Sequence, residues 1–203
     1  MIKINLGCGP LARNNWTNID YGLLPLLGKC GLTKVAGWFG LIDKNYVTVW
    51  PKFKYFDIRH RLPFENSCVN YIYCSHVLEH FEKNEVFKIL SECRRVLKKG
   101  GVVRIVLPDL KKLIDSYDGS DLFCREFYGY DKDLIFGFWG NIKKLFIRGH
   151  QWMYGQDEFV NLLKEVGFKK VNVVSYRKGV CPDIDKLDLE VHLRLSFYVE
   201  ASS

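Results

Sequence analysis

The sequence predicts a three-layer α/β sandwich built on a mostly parallel seven-stranded sheet with an antiparallel last strand. Three observations predict it. Short apolar runs alternate with helical periodicity, as the crossover units of a parallel sheet require. The run Val102–Leu107 is apolar and β-branched except for Arg104, the pattern of a strand buried on both faces. Glycine, aspartate, serine or proline stands just past the early runs, and open parallel sheets meet their ligands at the carboxyl ends of the strands.

The first strand is Lys3–Leu6, running into Gly7-Cys8-Gly9-Pro10. The second is Thr17–Ile19, ending at Asp20, and the third lies near Lys54–Phe56, ending at Asp57. Val69–Cys74 is the fourth, entered from a turn at Glu65-Asn66-Ser67. A helix follows. Asn84 is its expected N-cap, with Glu85 in the first turn and Val86, Ile89, Leu90, Cys93, Val96 and Leu97 at helical spacing. Gly100-Gly101 is expected to stop it. Val102–Leu107 is the fifth strand, closed by Pro108. A second helix covers Gln156–Val166, with Phe159, Leu162, Leu163 and Val166 on one face and Gly167 as its stop. Val171–Tyr176 and Leu193–Glu200 are the last two strands. This Rossmann-like layout brings Gly7-Cys8-Gly9, Asp20, Asp57, Ser75-His76 and Pro108-Asp109 to one edge of the sheet.

A chain of 203 residues suits one domain, 1–203, and 48% hydrophobic with 26% charged residues excludes a disordered chain. No stretch approaches the roughly 20 apolar residues of a membrane span. The most apolar region, Tyr21–Trp50, is broken by Lys29, Lys34, Asp43 and Lys44. The amino terminus runs straight into a core strand, so no signal peptide is expected. Seven scattered cysteines, odd in number and without a C-x-x-C pair, point to reduced thiols in a cytoplasm. The net charge of +7 is spread out. Its densest group, Arg94-Arg95 with Lys98-Lys99, falls at a helix end where cations suit the dipole, so nucleic acid is not the expected partner.

Glycines at positions 7 and 9 let the backbone turn sharply and let a ligand lie against it. A carboxylate at Asp20 can accept from both hydroxyls of a ribose; its alternative role is to cap local backbone. Asp57 is placed to accept from an adenine amino group, with a solvated turn carboxylate as the alternative. Gly7–Ala12 formally fits the dinucleotide motif G-x-G-x-x-A, but that motif expects its acid about 20 residues on, and Asp20 comes sooner. Pro10–Trp16 also leaves room for one or two helical turns at most, depriving a pyrophosphate of its helix N-terminus. A cofactor without phosphates loses nothing by this. His76-Val77-Leu78-Glu79-His80 fits the inverted zinc-protease motif H-x-x-E-H, in which two histidines on one helix share a metal. Here it follows a buried strand directly. No metal is expected, with His76 lining a pocket and His80 entering a helix.

Taken together, Asn5-Leu6-Gly7-Cys8-Gly9, Trp16-Thr17-Asn18-Ile19-Asp20, Leu62-Pro63-Phe64, Ser75-His76-Val77-Leu78-Glu79-His80 and Arg95-Val96-Leu97-Lys98-Lys99-Gly100-Gly101 resemble class I S-adenosylmethionine-dependent methyltransferases of the small type-11-like kind. His150-Gln151-Trp152-Met153-Tyr154, a following helix with Val166-Gly167-Phe168, and Ser196-Phe197-Tyr198-Val199-Glu200-Ala201 resemble a subgroup often linked to bacterial surface-sugar biosynthesis. The resemblance implies S-adenosylmethionine as cofactor and methyl transfer to a small-molecule or glycan acceptor. It implies that the Gly7-Cys8-Gly9 loop passes the methionine part, Asp20 holds the ribose, Asp57 lies by the adenine and Ser75 lines the pocket. Asn5 stands where the family usually has an acid that anchors the loop and the cofactor's amino group. Leu11 stands where it usually has a third glycine.

The acceptor is expected under two insertions. Residues 22–52, rich in Leu, Gly and Trp, form a candidate lid. Residues 109–154 carry Tyr117, Phe123, Phe127, Tyr128, Tyr130, Phe136, Phe138, Trp139, Phe146, Trp152 and Tyr154, whose faces suit sugars or flat acceptors and suit a core equally well. For a hydroxyl acceptor, His150, His76 and Asp109 are the candidate bases. Two other functions fit the same pattern: a non-catalytic protein that binds an adenosine cofactor, and an NAD-dependent oxidoreductase.

Overall fold

The computed structural model describes residues 1–130, 137–146 and 148–203; Phe136 of the aromatic insertion lies outside them, as do the side chains of Leu11, Phe138 and Trp139. The described strands are β1 (Lys3–Leu6), β2 (Thr17–Asp20), β3 (Lys54–Tyr55), β4 (Val69–Ser75), β5 (Leu97–Pro108), β6 (Lys170–Val174) and β7 (Ser196–Ser202). They form one sheet in the order β3-β2-β1-β4-β5-β7-β6. The pairs from β3 to β5 are parallel, and β7 runs antiparallel to both of its neighbours. The helices are α1 (Leu23–Lys29), α2 (Thr33–Trp38), α3 (Lys83–Val96), α4 (Leu110–Asp115), α5 (Ser120–Tyr128), α6 (Gly137–Lys144), α7 (Gln156–Val166) and α8 (Ile184–Leu187). Among the described residues no helix is long and apolar enough to cross a membrane.

Alternate residues of each strand face opposite sides. One side carries Ile4, Leu6, Ile72, Cys74, Val103, Ile105, Leu107, Phe197 and Val199. The apolar stripes of α3 (Val86, Ile89, Leu90, Cys93, Val96) and α7 (Phe159, Leu163, Val166) cover it. The other side carries Trp16, Tyr73, Val106 and Tyr198, and packs against Cys181 and Leu187. Those two residues belong to a largely irregular strap, 175–195, whose only helical parts are α8 and a single turn at Glu190–His192.

Polar groups, some of them buried, hold the strap down. Asp183 accepts from Lys3 Nζ at 2.7 Å, Trp16 Nε1 at 2.9 Å and Asn15 Nδ2 at 3.2 Å. Arg104, the charge interrupting the fifth apolar run, is wholly buried on this side. Its Nε and Nη2 donate to Asp188 at 3.1 and 2.5 Å, and its Nη1 to Glu200 at 3.0 Å. The carbonyls of Lys178 and Ser175 take its remaining donors. All five guanidinium donors thus have acceptors, the condition for burying the group. Glu200 sits directly opposite Arg104 in the β5–β7 register.

The helix expected to be capped by Asn84 begins two residues earlier. Glu82 is the cap, with Glu85 reaching back to the Glu82 amide in a reciprocal capping box. Nor does Gly100-Gly101 end that helix. α3 stops at Val96, because Leu97 is drawn into the sheet opposite Val69. The next pair in register is Tyr71 with Val102, so Lys98-Lys99-Gly100-Gly101 bulge out, Gly100 at φ +76°. Gly167 does cap α7, in the left-handed conformation. The last two strands shift: β6 ends before Tyr176, and β7 starts at Ser196 because Leu193–Leu195 finish the strap.

Candidate active site

The carboxyl ends of β1 and β2 meet at the glycine loop. Gly7 N and Cys8 N both donate to Ile19 O, at 2.9 and 3.2 Å, fastening the loop to the end of β2. Gly7 and Gly9 have φ of +64° and +55°, conformations that only glycine adopts at little cost. A Cβ on Gly7 would strike Val77, whereas one on Gly9 would meet nothing within 4 Å. The loop is therefore packed at Gly7 and open at Gly9. Asp20 lies beside the open part. Its Oδ2 accepts from Gly9 N at 2.7 Å and its Oδ1 from Tyr21 N at 2.8 Å. Burial pushes its carboxyl above the usual range against the pull of those two amides. The Cys8 thiol, 3.8 Å from Oδ2, is pushed up by burial and by the Asp20 charge.

Asn5 is buried under the loop and donates to Asn18 Oδ1 at 3.4 Å; Asn18 in turn donates to Arg13 O at 2.9 Å. Only a three-residue 3-10 turn, Gly9–Leu11, lies between β1 and β2. Asp57, past β3, is buried and gripped by Arg59, whose Nη2 reaches Oδ2 at 2.6 Å and whose Nε lies 3.0 Å from each oxygen. Burial raises the Asp57 carboxyl, but the Arg59 bonds outweigh it and hold it below the usual range. The Ser75 hydroxyl, at the end of β4, is buried without a hydrogen-bond partner among the described residues.

Beyond Ser75 the chain does not enter a helix. His76 takes a left-handed conformation, φ +53°, and Leu78–His80 form one 3-10 turn. The helix on which two motif histidines were to share a face is absent here. His76 Nε2 lies 2.9 Å from Ser196 Oγ, and its ring stacks on His192 with centroids 3.6 Å apart. Burial, then the neighbouring His192, His150 and His80, hold the His76 ring well below its usual pKa. His150 pairs Nδ1 with Phe127 O at 3.1 Å, and burial lowers its pKa against that bond. Its segment is tied to the turn after β4, since Gln151 N and Trp152 N donate to Glu79 O. Asp109 caps α4 through Lys111 N at 3.0 Å, forms a bridge with Tyr154, and borders a cleft of about 210 Å³ with Lys111 and Gln156–Glu158.

The structure thus assembles Gly7, Cys8, Gly9 and Asp20 with Asn5 beneath them. It places Ser75, His76 and His150 past β4 and ties Asp57 to Arg59. Sequence reasoning missed His192, Asp183 and Asp188, which lie in the strap where no periodicity marks them. A lone Arg104 in an apolar strand was the available signal that a buried carboxylate must exist elsewhere.

Residues 41–105, about a third of the chain, match a family model described as a methyltransferase domain. The matched segment contains Asp57 and Ser75–His80. No curated protein matches the sequence. Among solved structures, a SAM-dependent methyltransferase from Archaeoglobus fulgidus is similar at 14% identity and a TM-score of 0.54, over 99% of this chain and 85% of that one. The fold is that of the S-adenosylmethionine-dependent methyltransferases. A second example, from Thermotoga maritima and described as a possible histamine N-methyltransferase, matches at 12% identity and 0.54, over 99% and 81%. A possible exported protein from Bordetella parapertussis is similar at 12% identity and a TM-score of 0.51, over 100% of this chain; the chain covers 61% of its length, less than two thirds.

Proposed function

We propose that the chain is an S-adenosylmethionine-dependent methyltransferase acting on a small-molecule or glycan acceptor. The observation that carries the reading is the glycine loop, fastened to β2 and open at Gly9 beside the Asp20 carboxylate, in a methyltransferase fold. These residues fit an adenosyl cofactor. Gly9 opens onto unfilled space, Asp20 offers carboxylate lone pairs to ribose hydroxyls, and the buried Ser75 hydroxyl has no hydrogen-bond partner among the described residues. The single 3-10 turn between β1 and β2 offers no helix N-terminus to a pyrophosphate, which weighs against NAD. Asp57 is held by Arg59, so it serves the adenine side through that pair or after releasing it.

The bound cofactor supplies a methyl group on a sulfonium, a strong leaving group, so the protein's main task is alignment, worth up to about 7–11 kcal/mol. The β4 turn and the His150 segment provide fixed walls, being bonded to each other at Glu79 O. His76 and His150 are held neutral by burial and so are able to take a hydroxyl proton. Asp109 positions α4 beside the cleft that it lines with Lys111 and Gln156–Glu158. The lid is formed by 22–52, whose α1 and α2 expose Leu23, Leu26, Val35 and Trp38. The glycan class rests on the resemblance of the His150–Tyr154 and Ser196–Ala201 segments. Seven free thiols suit a reducing cytoplasm.

A thermal-shift panel tests the cofactor. S-adenosylhomocysteine at about 100 times its Kd adds roughly 2.7 kcal/mol of stability, and NAD adds none. Stabilisation by NAD alone overturns the reading.

A further inference from the structure

Glu79 is 1% exposed, neither carboxylate oxygen has a hydrogen-bond partner among the described residues, and His76 Nδ1 lies 3.4 Å from its Oε1. A buried carboxylate left in this state costs free energy unless a cation or proton joins it. A carboxylate oxygen of Glu79 and one ring nitrogen each of His80 and His150 lie within 4.8 Å of one another.

The histidines are oriented for a ligand. His80 Nδ1 lies 3.2 Å from Gly149 O, and His150 Nδ1 lies 3.1 Å from Phe127 O. A carbonyl only accepts, so in each neutral ring the proton sits on Nδ1 and the lone pair on Nε2. Outer carbonyls that fix the tautomer in this way are the usual companions of metal-binding imidazoles. The two rings approach to 5.2 Å between centroids. Gly129 makes room for one of them, since a Cβ there would lie 2.6 Å from His150 Nε2. The segment carrying His150 is fixed to the one carrying Glu79 and His80 by the bonds from Gln151 N and Trp152 N to Glu79 O.

We propose that Glu79, His80 and His150 hold a divalent transition-metal cation, of the zinc or manganese type, beside the methyl-transfer pocket. Two imidazoles and one carboxylate suit these borderline ions rather than magnesium, which prefers oxygen ligands. The linear motif was set aside because it follows a buried strand directly; the trio leaves His76 out and joins Glu79 and His80 to a distant third residue. Three protein ligands leave coordination positions open, so the cation can take an acceptor oxygen and lower the pKa of its proton. The lone pair of His150 is then engaged, and His76 becomes the proton acceptor. This role rests on the methyltransferase reading; the cation site itself does not.

The test is calorimetric titration of the EDTA-stripped full chain with zinc chloride and manganese chloride, with thermal melts of the same samples. The expected result is one cation per chain and a raised melting temperature. Glu79→Gln and His150→Gln each lose more than the ~10–100-fold affinity that outer-sphere changes cost. Metal-free melting controls for folding, and Glu79→Gln should melt no lower than the wild type in EDTA, since it removes an unpaired buried carboxylate. Should Glu79→Gln not fold, His150→Gln decides the matter. A wild type that takes up no cation, or variants that bind as it does, overturns the proposal. S-adenosylhomocysteine titrated into the same samples separates the two readings. Its binding without a cation removes the site and leaves the methyltransferase; cation binding without it does the reverse.

Discussion

Replacing Gly7 with alanine tests whether the glycine loop is shaped by backbone conformation, by packing, or by both. At φ +64° an alanine carries a left-handed penalty of about 1–2 kcal/mol. Its Cβ would also lie 2.2 Å from Val77 Cγ2 and 3.0 Å from Cγ1, where carbon atoms prefer about 3.5–4.0 Å. Relieving that overlap moves the loop or the β4 turn and costs about a further 1–3 kcal/mol. The expected total is about 2–5 kcal/mol. Gly9→Ala shares the strain, at φ +55°, but meets nothing within 4 Å, so it loses only about 1–2 kcal/mol. The assay is urea denaturation of Gly7→Ala, Gly9→Ala, Val77→Ala and the Gly7→Ala/Val77→Ala double variant. The double variant should recover the packing part, giving a coupling energy of about 1–3 kcal/mol. Additivity within about 0.5 kcal/mol would refute the claim that Val77 seals the loop.

Arg104→Met should cost about 3–5 kcal/mol in thermal or urea unfolding, because Asp188 and Glu200 are then buried without a counter-charge. Adding Asp188→Asn and Glu200→Gln should recover more than half, and a single-variant loss under about 1 kcal/mol would contradict the network's role. Asp20→Asn should keep the fold, since an amide oxygen can still accept from Gly9 N, but weaken S-adenosylhomocysteine by about 1.5–3 kcal/mol in calorimetry. Because burial raises the Asp20 pKa above 3.8, wild-type affinity should fall as acidification protonates the carboxylate at a pH above that value; the asparagine variant should lack this dependence. His150→Asn should lose roughly 100- to 10,000-fold in turnover at unchanged cofactor affinity, and near-wild-type kinetics would remove His150 from the chemistry.

The sheet was readable because its central strands β1 and β5 are buried on both faces: Ile4, Leu6 and Val102–Leu107 leave little alternative to parallel strands between helices. α7 was readable to the residue, its apolar stripe ending at a glycine free to turn left-handed. The end of α3 was not. Gly100-Gly101 resembles a helix stop, but Leu97 gains more from the sheet than from another helical turn, and that competition is tertiary. The glycine loop and Asp20 were legible because both follow strands directly. The Arg59 grip on Asp57 was open to inspection two residues away, yet nothing local distinguishes it from solvent. The strap and the joining of Glu79 and His80 to His150 were hidden for one reason: Asp188 lies 84 positions from Arg104 and Gly149 lies 69 from His80, with largely irregular chain before each.

The most direct test of the central claim is a crystal structure of the chain soaked or co-crystallised with S-adenosylhomocysteine. The account predicts the ribose hydroxyls within hydrogen-bond distance of Asp20, the aminoacyl part along Gly7–Gly9, and the sulfur facing the turn at Ser75-His76. Ligand bound elsewhere on the protein, with the glycine loop and Asp20 unengaged, would contradict it.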